Sequence, residues 1–155
     1  MHEIVTGIVS ASSATKVDHH RMDQLLDLLF EHAHELAVND LAELYTVFDD
    51  NVADQDRLWT LLHILENADL TLSAEAVVEA APTMRKKGAQ DWLEVIAIRF
   101  INAKGSCKAF SDAITRSDSP HQDAIFLTLE AVSRGDDLLA DRVNEILQKR
   151  RARSR

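Results

Sequence analysis

The segment Glu31-His32-Ala33-His34-Glu35 contains the residue types closest to metal chemistry in this chain. Glu31 and His34 form a Glu-x-x-His pair, which supplies one quarter of a di-iron carboxylate site when a helix presents it inward. Such a site needs a second pair and two further glutamates on facing helices. The other combination, His63-Ile64-Leu65-Glu66, runs in the opposite order. His19-His20 follows no zinc spacing. No metal site is therefore expected. Nucleophilic chemistry fares no better. Cys107 lies between Ser106 and Lys108, but no partner base is marked, and it reads as a small buried or half-buried thiol. Asp49-Asp50 is a carboxylate pair of the kind used in acid–base work, without the signature of a substrate pocket. No nucleophile elbow, phosphate-binding glycine loop or His-Glu-x-x-His motif is present. The expectation is a protein that binds rather than catalyses, with no cofactor.

The elements that would carry these residues are helical. With 4 Gly and 2 Pro in 155 residues, the chain lacks the turn signals of a β architecture. Apolar residues at Met22, Leu25, Leu26, Leu29, Ala33, Leu36 and Ala37 predict one amphipathic helix, capped by Asp18. Asp40-Leu41-Ala42-Glu43 reads as a capping box that opens a short helix to about Phe48. Leu58, Leu61, Leu62 and Leu65 form the inner face of a helix opened by Asp54. Trp59 and Trp92 read as core residues on such stripes. Ser73 caps a short Ala/Val helix that stops before Pro82, since the residue before proline disfavours helical angles. The next helix spans about Ala89–Ala103 and ends at Gly105. Ser106 starts another, Ser119-Pro120 opens one that ends near Gly135, and the last begins at Asp136.

Helix onsets near 20, 40, 54, 73, 89, 106, 120 and 137 repeat in pairs about every 31–35 residues. This predicts an all-α fold of seven to eight helices in antiparallel pairs, either a HEAT-like α-solenoid or a compact bundle. One domain over 18–148 is expected, between a flexible N-terminal segment (1–17) and a basic tail (149–155). The tail residues Lys149, Arg150, Arg151, Arg153 and Arg155 read as a solvated helix end. No apolar run approaches the roughly 20 residues of a membrane span. Met1–Ser13 lacks the pattern of a signal peptide. A single Cys fits a reducing compartment, so a cytoplasmic protein is expected.

Charge is the strongest functional signal. The chain carries a formal net charge of −9, which argues against nucleic acid as a direct partner. Between Met22 and Met84 there are 14 Asp or Glu against one basic residue, Arg57. From Arg85 onward the balance reverses to 14 Lys or Arg against 10 acids. Asp23, Asp27, Glu31 and Glu35 fall at i, i+4, i+8 and i+12, a line of like charges along one helix. Such pairs cost roughly 0.2–0.5 kcal/mol each, so stability alone would not select them. With Asp49, Asp50, Asp54 and Asp56 they define an expected acidic face for a cationic protein. His63, Glu66 and Arg99 are expected to form a polar tie between adjacent helices, because arginine favours bidentate carboxylate pairing.

Three stretches together resemble a known family. They are Leu44-Tyr45-Thr46-Val47-Phe48-Asp49-Asp50, Trp59-Thr60-Leu61-Leu62-His63-Ile64-Leu65-Glu66, and the run from Trp92 to Asn102 that contains Arg99. In this order they are similar to the all-helical immunity proteins encoded beside bacterial polymorphic or contact-dependent inhibition toxins, immunity-protein family thirty. The resemblance spans about residues 40–115. It implies binding and neutralisation of a cognate toxin domain, often a nuclease, without catalysis or cofactor. Tyr45, Phe48, Trp59 and Trp92 would then be packing residues, with His63, Glu66 and Arg99 as the polar tie. The charge map adds an expected mode of action, in which the acidic face covers the basic active-site or substrate surface of the toxin. A HEAT-like adaptor for another basic protein is the alternative. Neither a membrane nor a metal enters either reading.

Overall fold

In the computed structural model, residues 1–14, 18–135 and 137–153 are described, with side chains through residue 148. The three- and four-residue apolar spacings fold into α1 (His2–Ser12), α2 (His19–Glu31), a 3-10 turn (Ala33–Glu35), α3 (Val38–Tyr45), α4 (Gln55–Leu65), α5 (Leu70–Lys87), α6 (Gln90–Asn102), α7 (Lys104–Arg116), α8 (Ser119–Gly135) and α9 (Asp137–Arg153). The described residues contain no strand, so the fold is all-α, as expected. It has nine α-helices among those residues rather than seven or eight.

The helices form two rows. In one, α1, α3, α5 and α7 pack successively against each other. In the other, α2 packs on α4, and α6 on α8. Contacts of α1 with α2, and of α5 with α6 and α8, join the rows, and α9 closes the end against α6 and α8. This alternation is that of stacked helical pairs.

The centre is α5, buried on several sides through Ala74, Ala76, Val77, Ala80, Ala81 and Met84. Its alanines let α3 and α7 approach closely. Pro82 lies inside this helix instead of ending the one before it. An interior proline costs about 3 kcal/mol in isolation, and burial along the whole of α5 outweighs that penalty. The helix starts earlier than expected too. Asp69 caps it, accepting from the Thr71 and Leu72 amides at 2.9 and 3.0 Å. Ser73, expected as the cap, is buried, and its hydroxyl pairs with the Tyr45 hydroxyl at 2.7 Å. Gly88 ends α5 with φ at +87°, a conformation only glycine adopts without strain.

Four further boundaries differ from expectation. Residues 2–12, expected to be flexible, form α1, which buries Val5 and Ile8 completely. A Cβ at Gly7 would stand 3.2 Å from two Leu25 side-chain carbons, so glycine spares that side chain a small shift. Residues 15–17 of that segment lie outside the described ones. The helix from Asp18 stops at Glu31, and Leu36 is extended (φ −66°, ψ 127°). Ala33 and Leu36 in that turn are both buried. Asp40 lies in the first turn of α3 rather than ahead of it, where its carboxylate accepts from the Ala37 amide at 3.1 Å. Gly105 is in the first turn of α7, and the break from α6 falls at extended Ala103 (φ −111°, ψ 137°). At the other end α9 runs to Arg153, into the expected tail, whose side chains from Lys149 onward lie outside the described ones, as do residues 154 and 155 and the predicted onset at Asp136.

Candidate functional site

The row α2–α4–α6 carries the residues singled out by charge. Arg57, on α4, is forked by Asp23 of α2, with Nε and Nη2 donating to the two carboxylate oxygens at 2.8 and 3.1 Å. The same guanidinium pairs with Asp54 at the start of α4. His19 stands 3.5 Å from the Asp54 carboxylate. The one basic residue of the acidic half therefore fastens α2 to α4, and it holds the Asp23 carboxyl below the usual carboxylate range. Asp23 and Asp54 are structural anions as much as surface charges.

The other six divide sharply. Glu35 has left the α2 line for the 3-10 turn, where it pairs with His32 Nδ1 at 2.9 Å. The expected line of four carboxylates is thus three long, ending at Glu31, because α2 ends there. Asp49 folds back on the Asn51 amide at 2.9 Å, an Asx turn. Asp50 does something no local pattern shows. Its carboxylate oxygens accept from the Asp91 and Trp92 amides at 3.0 and 3.1 Å, which caps the N-terminus of α6 from a distant loop. Asp27, Glu31 and Asp56 are exposed, and their carboxylates have no hydrogen-bond or ion-pair partner among the described residues. These three remain available to a partner.

The polar tie forms in part. Arg99 of α6 grips Glu66, at the end of α4, through two donors, Nε to Oε1 and Nη2 to Oε2, the second at 2.7 Å. Both side chains are more than one-third exposed, so the pair is worth no more than about 1 kcal/mol. His63 is not part of it. It is exposed one turn before Glu66, with its ring 6.3 Å from that of Trp59. The Glu66–Arg99 pair borders a cavity of about 200 Å³ lined by Tyr45, Leu65, Ser73, Ile96 and Phe100. Burial pushes the Tyr45 hydroxyl strongly up, against the opposing effect of its bond to Ser73.

Trp59 corrects another expectation. It is 39% exposed, while Trp92 is buried. Helical geometry accounts for the split, since Trp59 sits at the margin of the Leu58–Leu61–Leu62–Leu65 stripe, next to polar Asp56 and His63. The Trp59 ring meets Trp92 edge-on, with centroids 4.9 Å apart at 61°. Trp92 in turn packs on Phe48 at 5.0 Å and donates its indole N–H to Gln55 at 2.9 Å. Trp59, Trp92, Val95, Asp50 and Asp91 border a surface cleft of about 140 Å³. Small-molecule sites run to roughly 300–1,000 Å³, so this one has room only for the head of a side chain. The two ionisable residues that line it, Asp50 and Asp91, are both acidic. Burial first, and then Asp91, raise the Glu94 carboxyl above its usual value, with Asp50 adding to them against Arg85 and Arg134.

Neither Glu31-x-x-His34 nor His63-x-x-Glu66 is joined by further ligands. Among the described residues, no group of three or more His, Cys, Asp or Glu side chains could hold a metal ion. Cys107 is half-buried. No described helix is long and apolar enough to cross a membrane.

A family model described as Immunity protein 30 matches residues 13–110, from the end of α1 into α7. No curated protein and no solved structure matches the chain.

Proposed function

The chain belongs to the Immunity protein 30 family, and we propose that it neutralises a cationic toxin domain, a nuclease, by covering its basic active-site or substrate surface in the cytoplasm. The family makes it an immunity protein, a binding protein rather than an enzyme, with a toxin as cognate partner. The observation that carries the proposal beyond the family is the charge imbalance, 14 acids to one base between Met22 and Met84. That single base is already occupied within the protein by Asp23 and Asp54. Asp27 and Glu31 on α2 and Asp56 on α4 are left exposed, on neighbouring helices.

A nuclease must present cations to bind phosphates. A surface of opposite sign attracts it over a distance and then occupies the nucleic-acid position. The affinity itself would come from buried anchors at the centre of the contact, with the carboxylates steering the approach.

Co-expression with the C-terminal domain of the protein encoded directly upstream tests the pairing. Growth rescue together with a co-purifying complex is the expected result. Neither rescue nor complex would turn the reading to a helical adaptor for another basic partner.

A further inference from the structure

The cleft beside Trp59 has the composition of an anchor point. Its walls are held from behind. Rings step outward from the core, with Tyr45 to Phe48 at 6.2 Å, Phe48 to Trp92 at 5.0 Å and Trp92 to Trp59 at 4.9 Å. The Trp92 indole is pinned by Gln55, and Asp50 by two α6 amides. Trp59 is therefore a surface tryptophan whose ring is already ordered, so a partner that packs on it loses little rotamer entropy. Asp91 is exposed beside it, and Asp56 is exposed one turn earlier on α4.

Tryptophan is the best aromatic partner for a cation, and a carboxylate beside it adds charge pairing. Between the two basic side chains, arginine fits better, because its planar guanidinium can stack on a ring while its edge reaches a carboxylate. We propose that this cleft receives an arginine side chain of the toxin, stacked on the exposed face of Trp59 and paired with Asp91. The proposal rests on the reading of the partner as a cationic toxin, and it places the centre of the contact at α4–α6 rather than on the carboxylate line of α2.

The test measures affinity between the full chain and the toxin domain of the upstream neighbour. Trp59→Ala is expected to weaken binding at least tenfold and Asp91→Asn several-fold. Trp59→Phe, which keeps a ring in the same packing, should lie between wild type and Trp59→Ala. Asp27→Asn, on α2, should stay within about threefold of wild type. Tm values show that each variant is folded. Wild-type-like affinity of both Trp59→Ala and Asp91→Asn would overturn the proposal. Should the wild-type chain not bind that domain, the reading of its partner fails instead. The cleft is then decided by NMR titration with N-acetyl-arginine methylamide. Saturable shifts of the Trp59 indole N–H, absent with the neutral citrulline analogue, support the arginine site. No shift, or equal shifts with both compounds, refutes it.

Discussion

Replacing Phe48 with alanine is expected to cost about 3–5 kcal/mol of stability, the range for truncating a fully buried aromatic residue. Phe48 has no exposed surface, although it lies beyond the end of α3 in the connection to α4. Its ring touches Tyr45 on one side and Trp92 on the other, so it links the α3–α5 core to α6. Truncation leaves a cavity that neither neighbour can fill without giving up its own bond, Tyr45 to Ser73 or Trp92 to Gln55. At roughly 2–4 °C per kcal/mol for a chain of this length, Tm should fall by roughly 6–20 °C. Calorimetry or thermal circular dichroism measures this. A fall of only 1–2 °C would mean that the loop is not part of the core.

The second large effect is expected at Asp50. Its carboxylate satisfies two first-turn amides of α6, a helix that would otherwise begin at Ala89 without any side-chain cap. Losing an N-cap typically costs 0.5–2 kcal/mol, and hydrogen bonds to a charged acceptor lie at the high end. Asp50→Ala should therefore destabilise by about 2 kcal/mol. The signature is local. Hydrogen exchange at the Asp91 and Trp92 amides should accelerate beyond the loss of global stability. Exchange that tracks global stability alone would contradict the capping role.

Both residues show what a single sequence can and cannot reveal here. Spacing of apolar residues locates α4 and α6, because their stripes are regular and their helices are set by one buried face. It misplaces the ends of α2 and α5, where tertiary packing decides. Nothing in His32–Ala37 forbids a helix, yet the chain breaks there into a 3-10 turn and an extended, buried Leu36. Pro82 would ordinarily stop a helix, yet the contacts around α5 hold it in one. The α1 helix escapes for a related reason. Its β-branched residues and Gly7 are poor helix formers, and its packing on α2 and α3, which buries Val5 and Ile8, is a tertiary effect.

The candidate site is legible as a charge and not as a geometry. The imbalance of signs is plain in the sequence, but the partners of each carboxylate are not. Asp23 and Arg57 are 34 residues apart, and Asp50 bonds amides 41 and 42 residues on. Such pairings depend on which helices become neighbours. The Glu66–Arg99 tie could be anticipated because the two residues belong to apolar-striped stretches and arginine favours bidentate carboxylate pairing. His63 shares the stretch but points elsewhere, towards Trp59. The exposure of Trp59 had a signal, its place at the edge of the leucine stripe beside Asp56. Asp91 had none, since its importance comes only from the packing of α4 against α6.

The account stands on an acidic surface that draws in a cationic toxin. Its most direct test is the association rate with the purified toxin domain as a function of ionic strength. The rate should fall at least about tenfold between about 50 and 500 mM salt, as steered encounters do. Neutralising Asp27, Glu31 and Asp56 together should flatten that slope without changing Tm. A wild-type rate that stays constant within about twofold over this range would contradict the account.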